Sequence, residues 1–380
     1  REISGKHPCG KLYKKNKMNV PDRHIIQKID TLIHSNYSFA IYRLPWTDEC
    51  TFVLQTNGEV EALNEITALN GKQGFVIAPF RISEKRPLIL IHPCISAIGW
   101  NAINQSLNSL KDIQTITQPE SAYDKPVEYQ EVFNRFILSL QKNKFRKLVL
   151  SRPETHLLTE EFSPLTAFVK ACNSYPRMMI YLCHTPQTGT WLGSTPEILL
   201  SGQEKNWHTV ALAGTMPMQG ETIPDTWSNK NKEEQAIVAE YIRKTIKKFG
   251  NKIEEKGPYT ARAGQLVHLK SDFHFLLKDT KSLGNLLKEL HPTPAVCGLP
   301  KIESYNFITE HEGYDRKYYS GFIGWLEPNG QTDLYVNLRC MEIHEKEATL
   351  YAGGGILSSS DMTSEFEETK EKMKTMKNII

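Results

Sequence analysis

The chain has 380 residues, of which 39% are hydrophobic and 23% are charged, so it can form a large core and is too apolar for extended disorder. The net charge of +3 is uneven, because residues 1–17 carry +5 and residues 18–380 carry −2. This distribution excludes a basic body of the kind that binds nucleic acid. The sequence has no run of 18 apolar residues and no signal-peptide pattern, which argues against a membrane protein.

The region before Met18 is strongly basic, and we expect residues 1–17 to be a disordered leader or an added extension. The seven cysteines are scattered and contain no C-x-x-C pair. This pattern predicts neither a disulfide framework nor a thiolate zinc site, and it indicates a reducing cytoplasm.

The predicted elements follow one another irregularly along the chain. A helix over 22–36 precedes short β-rich runs, and the polar residues 101–125 predict an irregular connection. Further helices are predicted at 126–144, 163–175, 230–250, 281–291 and 301–312 and at the C-terminus, with strands between them. The segment TDLYVNLRCMEIHE is predicted as one strand, in a hairpin with YYSGFIGWLE across Pro-Asn-Gly-Gln. This order favours an α+β layered fold over a doubly wound parallel sheet.

One carboxylate, Glu197, lies in the apolar stretch WLGSTPEILL at residues 191–200. The stretch predicts a strand, a tight turn and a second strand. An acid in such surroundings holds its proton unless a partner is supplied, because burial disfavours the charged form.

Two predicted helices carry further carboxylates. Glu365, Glu368 and Lys372 share one face of the last helix, where a solvated charged face is the simplest interpretation of the sequence. Glu234 lies in the first turns of the 230–250 helix, either as an acid favoured by the helix dipole or as one of two carboxylates that share a hard cation.

Other polar residues lie in unusual positions. His291 precedes Pro-Thr-Pro in a stiff connector, and the glycines at 353–355 allow a ligand to approach the backbone. Lys147 opens an apolar strand, and Arg339 lies within the predicted strand VNLRC; such cations more often form ion pairs than act as catalysts. Together these residues suit a polyanionic small molecule held by a divalent cation.

In order and spacing, eight motifs resemble those of the chorismate-utilising enzymes, specifically the isochorismate synthases, with the menaquinone-type members most similar. They are KLVLSR (147–152), GSTPE (193–197), ALAGT (211–215), SNKNKEE (228–234), HPTPAVCG (291–298), NLRC (337–340), AGGGI (352–356) and EFEETKEK (365–372). The resemblance spans about residues 126–380. It implies a single domain over 18–380, with a divergent part at 18–125 and the motif-bearing part at 126–380.

The resemblance implies a reaction in which water adds to carbon 2 of chorismate while the hydroxyl on carbon 4 departs, an isomerisation overall. Lys147 matches the family's base and Glu197 its acid. Glu234 and Glu368 match the Mg²⁺ ligands, with Glu365 as a partner through water. Arg339 and Lys372 match the positions that hold a substrate carboxylate. Further substrate contacts match Gly214, His291, Tyr319 and Gly353.

The sequence departs from the family at Asn231 and Gln235, where Asp and His are frequent. The resemblance implies the fold of anthranilate synthase component I, a single α+β domain of two stacked antiparallel sheets with helices outside. It also implies a monomer or weak homo-oligomer with chorismate as its small-molecule partner, serving menaquinone or siderophore formation. Two alternatives stay open, a salicylate synthase, which also eliminates pyruvate, and a catalytically silent chorismate-binding subunit.

Overall fold

A computed structural model describes residues 17–110, 113, 115, 128–218, 220–224 and 226–380. The leader predicted for 1–17 therefore lies outside the described residues, apart from Lys17. Within the described residues the chain forms eight α-helices: α1 Arg23–Leu32, α2 Gly99–Asn108, α3 Tyr129–Gln141, α4 Pro164–Ser174, α5 Asn229–Phe249, α6 Leu283–Leu290, α7 Lys301–His311 and α8 Met362–Lys377.

The same residues form 18 strands: β1 Ser38–Arg43, β2 Thr51–Gln55, β3 Glu61–Leu63, β4 Gly74–Ala78, β5 Leu88–Ile91, β6 Ile95–Ile98, β7 Lys147–Leu157, β8 Met179–Thr185, β9 Gly189–Thr195, β10 Ile198–Gln203, β11 Asn206–Pro217, β12 Gly250–Ala263, β13 Leu266–Leu277, β14 Gly298–Leu299, β15 Phe322–Leu326, β16 Gln331–Val336, β17 Cys340–Ile343 and β18 Glu347–Ile356. They build two nine-stranded sheets. The first sheet has the order β14-β7-β18-β17-β9-β8-β1-β2-β6 and the second β12-β13-β11-β10-β16-β15-β4-β5-β3.

The two sheets pack face to face and the helices lie outside, as predicted. Phe75 and Ile77 of the second sheet join Tyr181 and Trp191 of the first in one buried cluster. Helices α1, α2, α4 and α8 cover the outer face of the first sheet. Helices α5 and α6 cover the second sheet, while α3 and α7 pack near β7. No helix in the described part of the chain is long and apolar enough to cross a membrane.

Two sequence predictions were wrong. Residues 101–125 were expected to be irregular, but α2 includes 101–108, and most of 111–125 lies outside the described residues. Helix α2 buries only Ile103 and Leu107, so its apolar stripe is too narrow to stand out in the sequence. The segment TDLYVNLRCMEIHE is two strands in different sheets, because β16 ends at Val336 and β17 begins at Cys340. Arg339 therefore lies between strands, with φ +47°, and not within one. The predicted hairpin of β15 and β16 is confirmed.

A second connection between the sheets lies beside the one that joins β16 to β17. The stretch WLGSTPEILL leaves the first sheet at Thr195 and enters the second at Ile198. Backbone hydrogen bonds tie the two crossings together: Ser194 N donates to Arg339 O at 3.0 Å, and Val336 N donates to Glu197 O at 2.9 Å. The crossings therefore hold Glu197 and Arg339 at one place in the fold.

Candidate active site

A cavity of about 590 Å³, including its open mouth, lies where the two crossings meet β18. Seven of the predicted site residues line it: Glu197, Gly214, Glu234, Tyr319, Arg339, Gly353 and Lys372. The fold thus brings together residues that are far apart in the sequence.

Lys147 reaches Glu234 from the inner face of β7. Leu148 and Leu150 pack in the apolar cluster formed with α3 and α7. Successive side chains of a strand point to opposite faces, so Lys147 and Val149 point the other way, and Val149 lines the cavity. The Lys147 ammonium is fully buried, 3.0 Å from Glu234 Oε1. Burial lowers the pKa of Lys147, although the Glu234 carboxylate opposes this shift.

Glu197 is buried at the first crossing and behaves as the sequence predicts. Burial raises its pKa to about 8, and the positive charges of Lys147, Lys372 and Arg339 offset only part of that rise. Glu197 is therefore mostly protonated at neutral pH, as an acid that must donate a proton requires.

Glycines of β18 make room for the carboxylates of the two helices. A Cβ atom on Gly354 would lie 3.2 Å from Glu368 Oε1 and 3.3 Å from Glu365 Oε2. A Cβ atom on Gly355 would collide with Glu234 Oε1. Side chains at these two positions would displace the carboxylates, which explains the glycines predicted to admit a close approach.

The third glycine, Gly353, lies beside two predicted substrate residues. Its carbonyl accepts a hydrogen bond of 2.7 Å from Lys372 Nζ, and a Cβ atom there would lie 2.9 Å from the Tyr319 hydroxyl. The Tyr319 ring stacks on Tyr351, with ring centroids 5.5 Å apart. Both tyrosines line the cavity and give it one aromatic wall.

The carboxylates of α5 and α8 are buried or half-buried ion-pair partners, so the interpretation of the last helix as a solvated face was wrong. Lys230 Nζ lies 2.9 Å from Glu365 Oε1 and 3.4 Å from Glu234 Oε2, which joins the two helices. Lys372 pairs with Glu368 at 2.7 Å. Burial raises the pKa of Glu365. Burial has the same tendency at Glu234, but the ammonium groups around it lower its pKa to about 2.

Sequence reasoning missed His268, a buried residue of β13 that lines the cavity. His268 Nε2 lies 2.7 Å from Arg339 Nη2, and its Nδ1 lies 2.9 Å from Gly214 O. Burial, with the Arg339 charge, lowers the pKa of His268 well below its usual value. A neutral ring accepts from Arg339 and donates to Gly214, which fixes the guanidinium. The only signal in the sequence is a histidine between apolar strand residues.

His291 is the predicted substrate residue that does not line the cavity. It is buried, its Nε2 lies 3.3 Å from Phe80 O, and its ring packs edge-on against Phe322. Burial lowers the pKa of His291 to about 3, so the ring is neutral. In this structure its imidazole contacts the protein's own backbone, and a contact with substrate stays a prediction.

The carboxylates of α5 and α8 are the candidate ligands for a magnesium ion. No group of three His, Cys, Asp or Glu residues in the described part of the chain is close enough to form a metal cage. However, Glu365 Oε2 is buried without a hydrogen-bond partner, and the Lys230 ammonium bridges Glu234 and Glu365 as a positive charge. Carboxylate oxygens are the donors that Mg²⁺ prefers, so the residues present fit this ion.

Comparisons with known proteins identify the family of the chain. The family model described as "Chorismate binding enzyme" matches residues 70–380, so the chain belongs to the chorismate binding enzyme family. The match extends the resemblance seen in the motifs from residue 126 back to residue 70.

Individual relatives are isochorismate synthases by name. The chain is 29% identical over 252 residues to the salicylate biosynthesis isochorismate synthase of Pseudomonas aeruginosa, covering 64% of this chain and 52% of that protein. It is 26% identical to the isochorismate synthase MenF of Escherichia coli, covering 77% of this chain and 69% of MenF. The chain spans about half the length of several such relatives.

Solved structures share the fold. The structure of MenF, the menaquinone-specific isochorismate synthase from Escherichia coli, matches with a TM-score of 0.73 at 19% identity and covers 92% of this chain and 90% of that one. Anthranilate synthase component I from Streptococcus pneumoniae matches with a TM-score of 0.66 at 18% identity, covering 99% of both chains. The predicted anthranilate synthase component I-like fold is confirmed.

Proposed function

We propose that this protein is an isochorismate synthase that converts chorismate to isochorismate with Mg²⁺. The observation that carries the proposal is one cavity lined by Glu197 and by Glu234, whose carboxylate pairs with Lys147. The family membership and the names of the relatives support the same reaction.

In the proposed reaction, the amine of Lys147 takes a proton from a water molecule as its oxygen bonds to carbon 2. The carboxyl of Glu197 gives its proton to the hydroxyl on carbon 4, which leaves as water while the ring double bonds shift. The directions of both pKa shifts support these roles, since a base must hold its proton weakly and an acid must hold it at neutral pH.

Other residues of the cavity bind and orient the substrate. Arg339, fixed by His268, offers a planar guanidinium to a carboxylate of chorismate, with Lys372 beside it. The carboxylates of Glu234 and Glu368 would hold Mg²⁺, with Glu365 acting through water. When bound, Mg²⁺ supplies positive charge that neutralises the ring carboxylate of the substrate.

The test is incubation of the purified protein with chorismate and Mg²⁺, followed by identification of the products. Isochorismate as the product supports the proposal. Salicylate together with pyruvate would identify a salicylate synthase, and binding without turnover would identify a silent chorismate-binding subunit.

We also propose that the isochorismate serves menaquinone or siderophore formation, in the cytoplasm. The cysteine pattern supports that location, since the six cysteines that the structure describes are free thiols. Growth of a deletion strain with added menaquinone or added siderophore would distinguish the two pathways.

A further inference from the structure

Three lysines balance three carboxylates around the proposed cation site. Lys147 pairs with Glu234, Lys372 pairs with Glu368, and Lys230 bridges Glu365 and Glu234. The buried neighbour of Lys230 in α5, Asn231, is neutral and adds no charge. While Lys147 holds its proton, these six groups therefore sum to zero charge before any divalent cation arrives.

The three ammonium groups differ in their freedom to move. The Lys147 side chain is fully buried, and Lys372 is also held by its hydrogen bond to the Gly353 carbonyl. The Lys230 side chain is 20% exposed and lies in the first turn of α5. A lysine has a flexible four-carbon stem and a strongly hydrated head, so Lys230 can reach water once its two ion pairs are broken.

Lys230 also contacts the carboxylates that a cation would need. Its ammonium lies 2.9 Å from Glu365 Oε1, while Oε2 of the same carboxylate is buried without a hydrogen-bond partner. Gly354 leaves space beside this oxygen and beside Glu368 Oε1. A divalent cation that binds these oxygens would lie close to the ammonium and be repelled by it.

We propose that Lys230 is an internal counter-cation that binds Glu234 and Glu365 in the metal-free protein, and that a divalent cation displaces it into solvent. This inference rests on the proposed function, because it assumes a cation site at these carboxylates. In the metal-free state Lys230 prevents repulsion between the helices α5 and α8. The cost of displacing it weakens the affinity for the metal.

The first test measures cation affinity in Lys230→Met, which keeps the length of the side chain and removes its charge. We expect Mg²⁺, measured by calorimetry, and Mn²⁺, measured by electron paramagnetic resonance, to bind about tenfold more tightly than in the wild type. The matched control is Lys244→Met on the same helix. Lys244 makes a similar i,i+4 pair, with Glu240 at 2.7 Å, but its side chain is 73% exposed. The affinity of Lys244→Met for Mg²⁺ and Mn²⁺ should equal that of the wild type.

The second test uses the wild-type protein and so does not depend on the folding of a variant. Acylation of each lysine by an amine-reactive ester is followed by mass spectrometry, with and without saturating Mg²⁺. Displacement predicts several-fold faster labelling of Lys230 in Mg²⁺ and an unchanged rate at Lys244. An unchanged rate at Lys230 would overturn the inference.

The outcomes separate this inference from the proposed function. If the wild type binds the cation and Lys230→Met binds it equally or more weakly, the displacement is refuted and the proposed cation site stands. If neither protein binds Mg²⁺ or Mn²⁺, the cation site itself is refuted, and the role of Lys230 with it.

Discussion

At the scale of single residues, the site depends on two buried groups with opposite needs. In the proposed reaction Glu197 must keep a proton and Lys147 must give one up, and burial shifts the pKa of each group in the direction that these proposed roles require. The Glu234 carboxylate works against the shift at Lys147 and keeps that ammonium in place. Burial of Glu197 lowers the free energy of unfolding at a pH where the unfolded chain would ionise this group, since burial disfavours its charged form.

Glu197→Gln tests both the acid and this cost. Turnover should fall by about 10²- to 10⁴-fold, because the amide is far too weak an acid to protonate the leaving hydroxyl. In the wild type, turnover should fall as the pH rises through about 8, where Glu197 loses its proton. The turnover rates of Glu197→Gln and of the exposed control Glu160→Gln check the loss of activity. A pH–rate profile of the wild type checks the fall near pH 8.

The same variant should change the dependence of stability on pH. Between the ordinary pKa of 4.5 and about 8, the folded protein holds a proton on Glu197 that the unfolded chain has lost. The free energy of unfolding therefore falls as the pH rises through this window. Glu197→Gln should remove that part of the fall. Thermal unfolding of the wild type and of Glu197→Gln between pH 4.5 and about 8 measures this difference. Identical pH profiles of stability for the two proteins would contradict the destabilisation assigned to the burial of Glu197.

Lys147→Ala should abolish turnover and leave substrate binding measurable. The variant removes the proposed base and leaves Arg339 and Lys372, the residues proposed to bind the substrate carboxylate. A loss of about 10²- to 10⁴-fold in rate is expected. Calorimetric titration with chorismate and a rate assay check this, with the exposed Lys144→Ala as control. Turnover of Lys147→Ala at a rate close to that of the wild type would remove its role as the base.

At the scale of elements, the site is assembled where strands change sheets and two helices meet. The crossings after β9 and after β16 hold Glu197 and Arg339, and the glycines of β18 admit carboxylates from α5 and α8. Sequence periodicity predicted most of these elements. It could not predict that β16 and β17 belong to different sheets, because the alternation of a strand is local and does not identify its neighbours.

Charged helix faces are a second limit of sequence reasoning. The sequence predicted that the face of α8 with Glu365, Glu368 and Lys372 is solvated. The polarity of a helix face does not reveal that it packs against the glycines of β18. The motifs identified the predicted ligands by resemblance alone. Lys230 was recognised only as part of the motif SNKNKEE, and His268 was missed, since each contacts a partner that is distant in sequence, Glu365 and Arg339.

Glu368→Ala tests the role of α8. Activity should be lost together with its dependence on Mg²⁺, and the affinity for Mg²⁺ should fall by about tenfold or more, because one of two proposed carboxylate ligands is removed. The control is Glu367→Ala, an exposed neighbour that pairs with Lys370 at 2.7 Å. Calorimetry provides the measurement. An unchanged Mg²⁺ titration in Glu368→Ala would refute it as a ligand.

At the scale of the whole molecule, the part of the chain without recognisable motifs is built into both sheets. Strands β1, β2 and β6 extend the first sheet, and β3, β4 and β5 extend the second. The described residues 18–110 therefore contribute strands to both sheets of the sandwich that carries the site, while the domain bounds 18–380 stay a prediction. The composition and the order of elements predicted the α+β class, and only the resemblance predicted two stacked sheets.

The central claim is that water adds to one carbon of chorismate while a hydroxyl leaves another. The most direct measurement is turnover of chorismate with Mg²⁺ in water enriched in ¹⁸O, with the product analysed by mass spectrometry and NMR. Addition of water at carbon 2 predicts isochorismate that carries one solvent ¹⁸O at that carbon. Isochorismate without solvent oxygen, or salicylate and pyruvate as the only products, would contradict it.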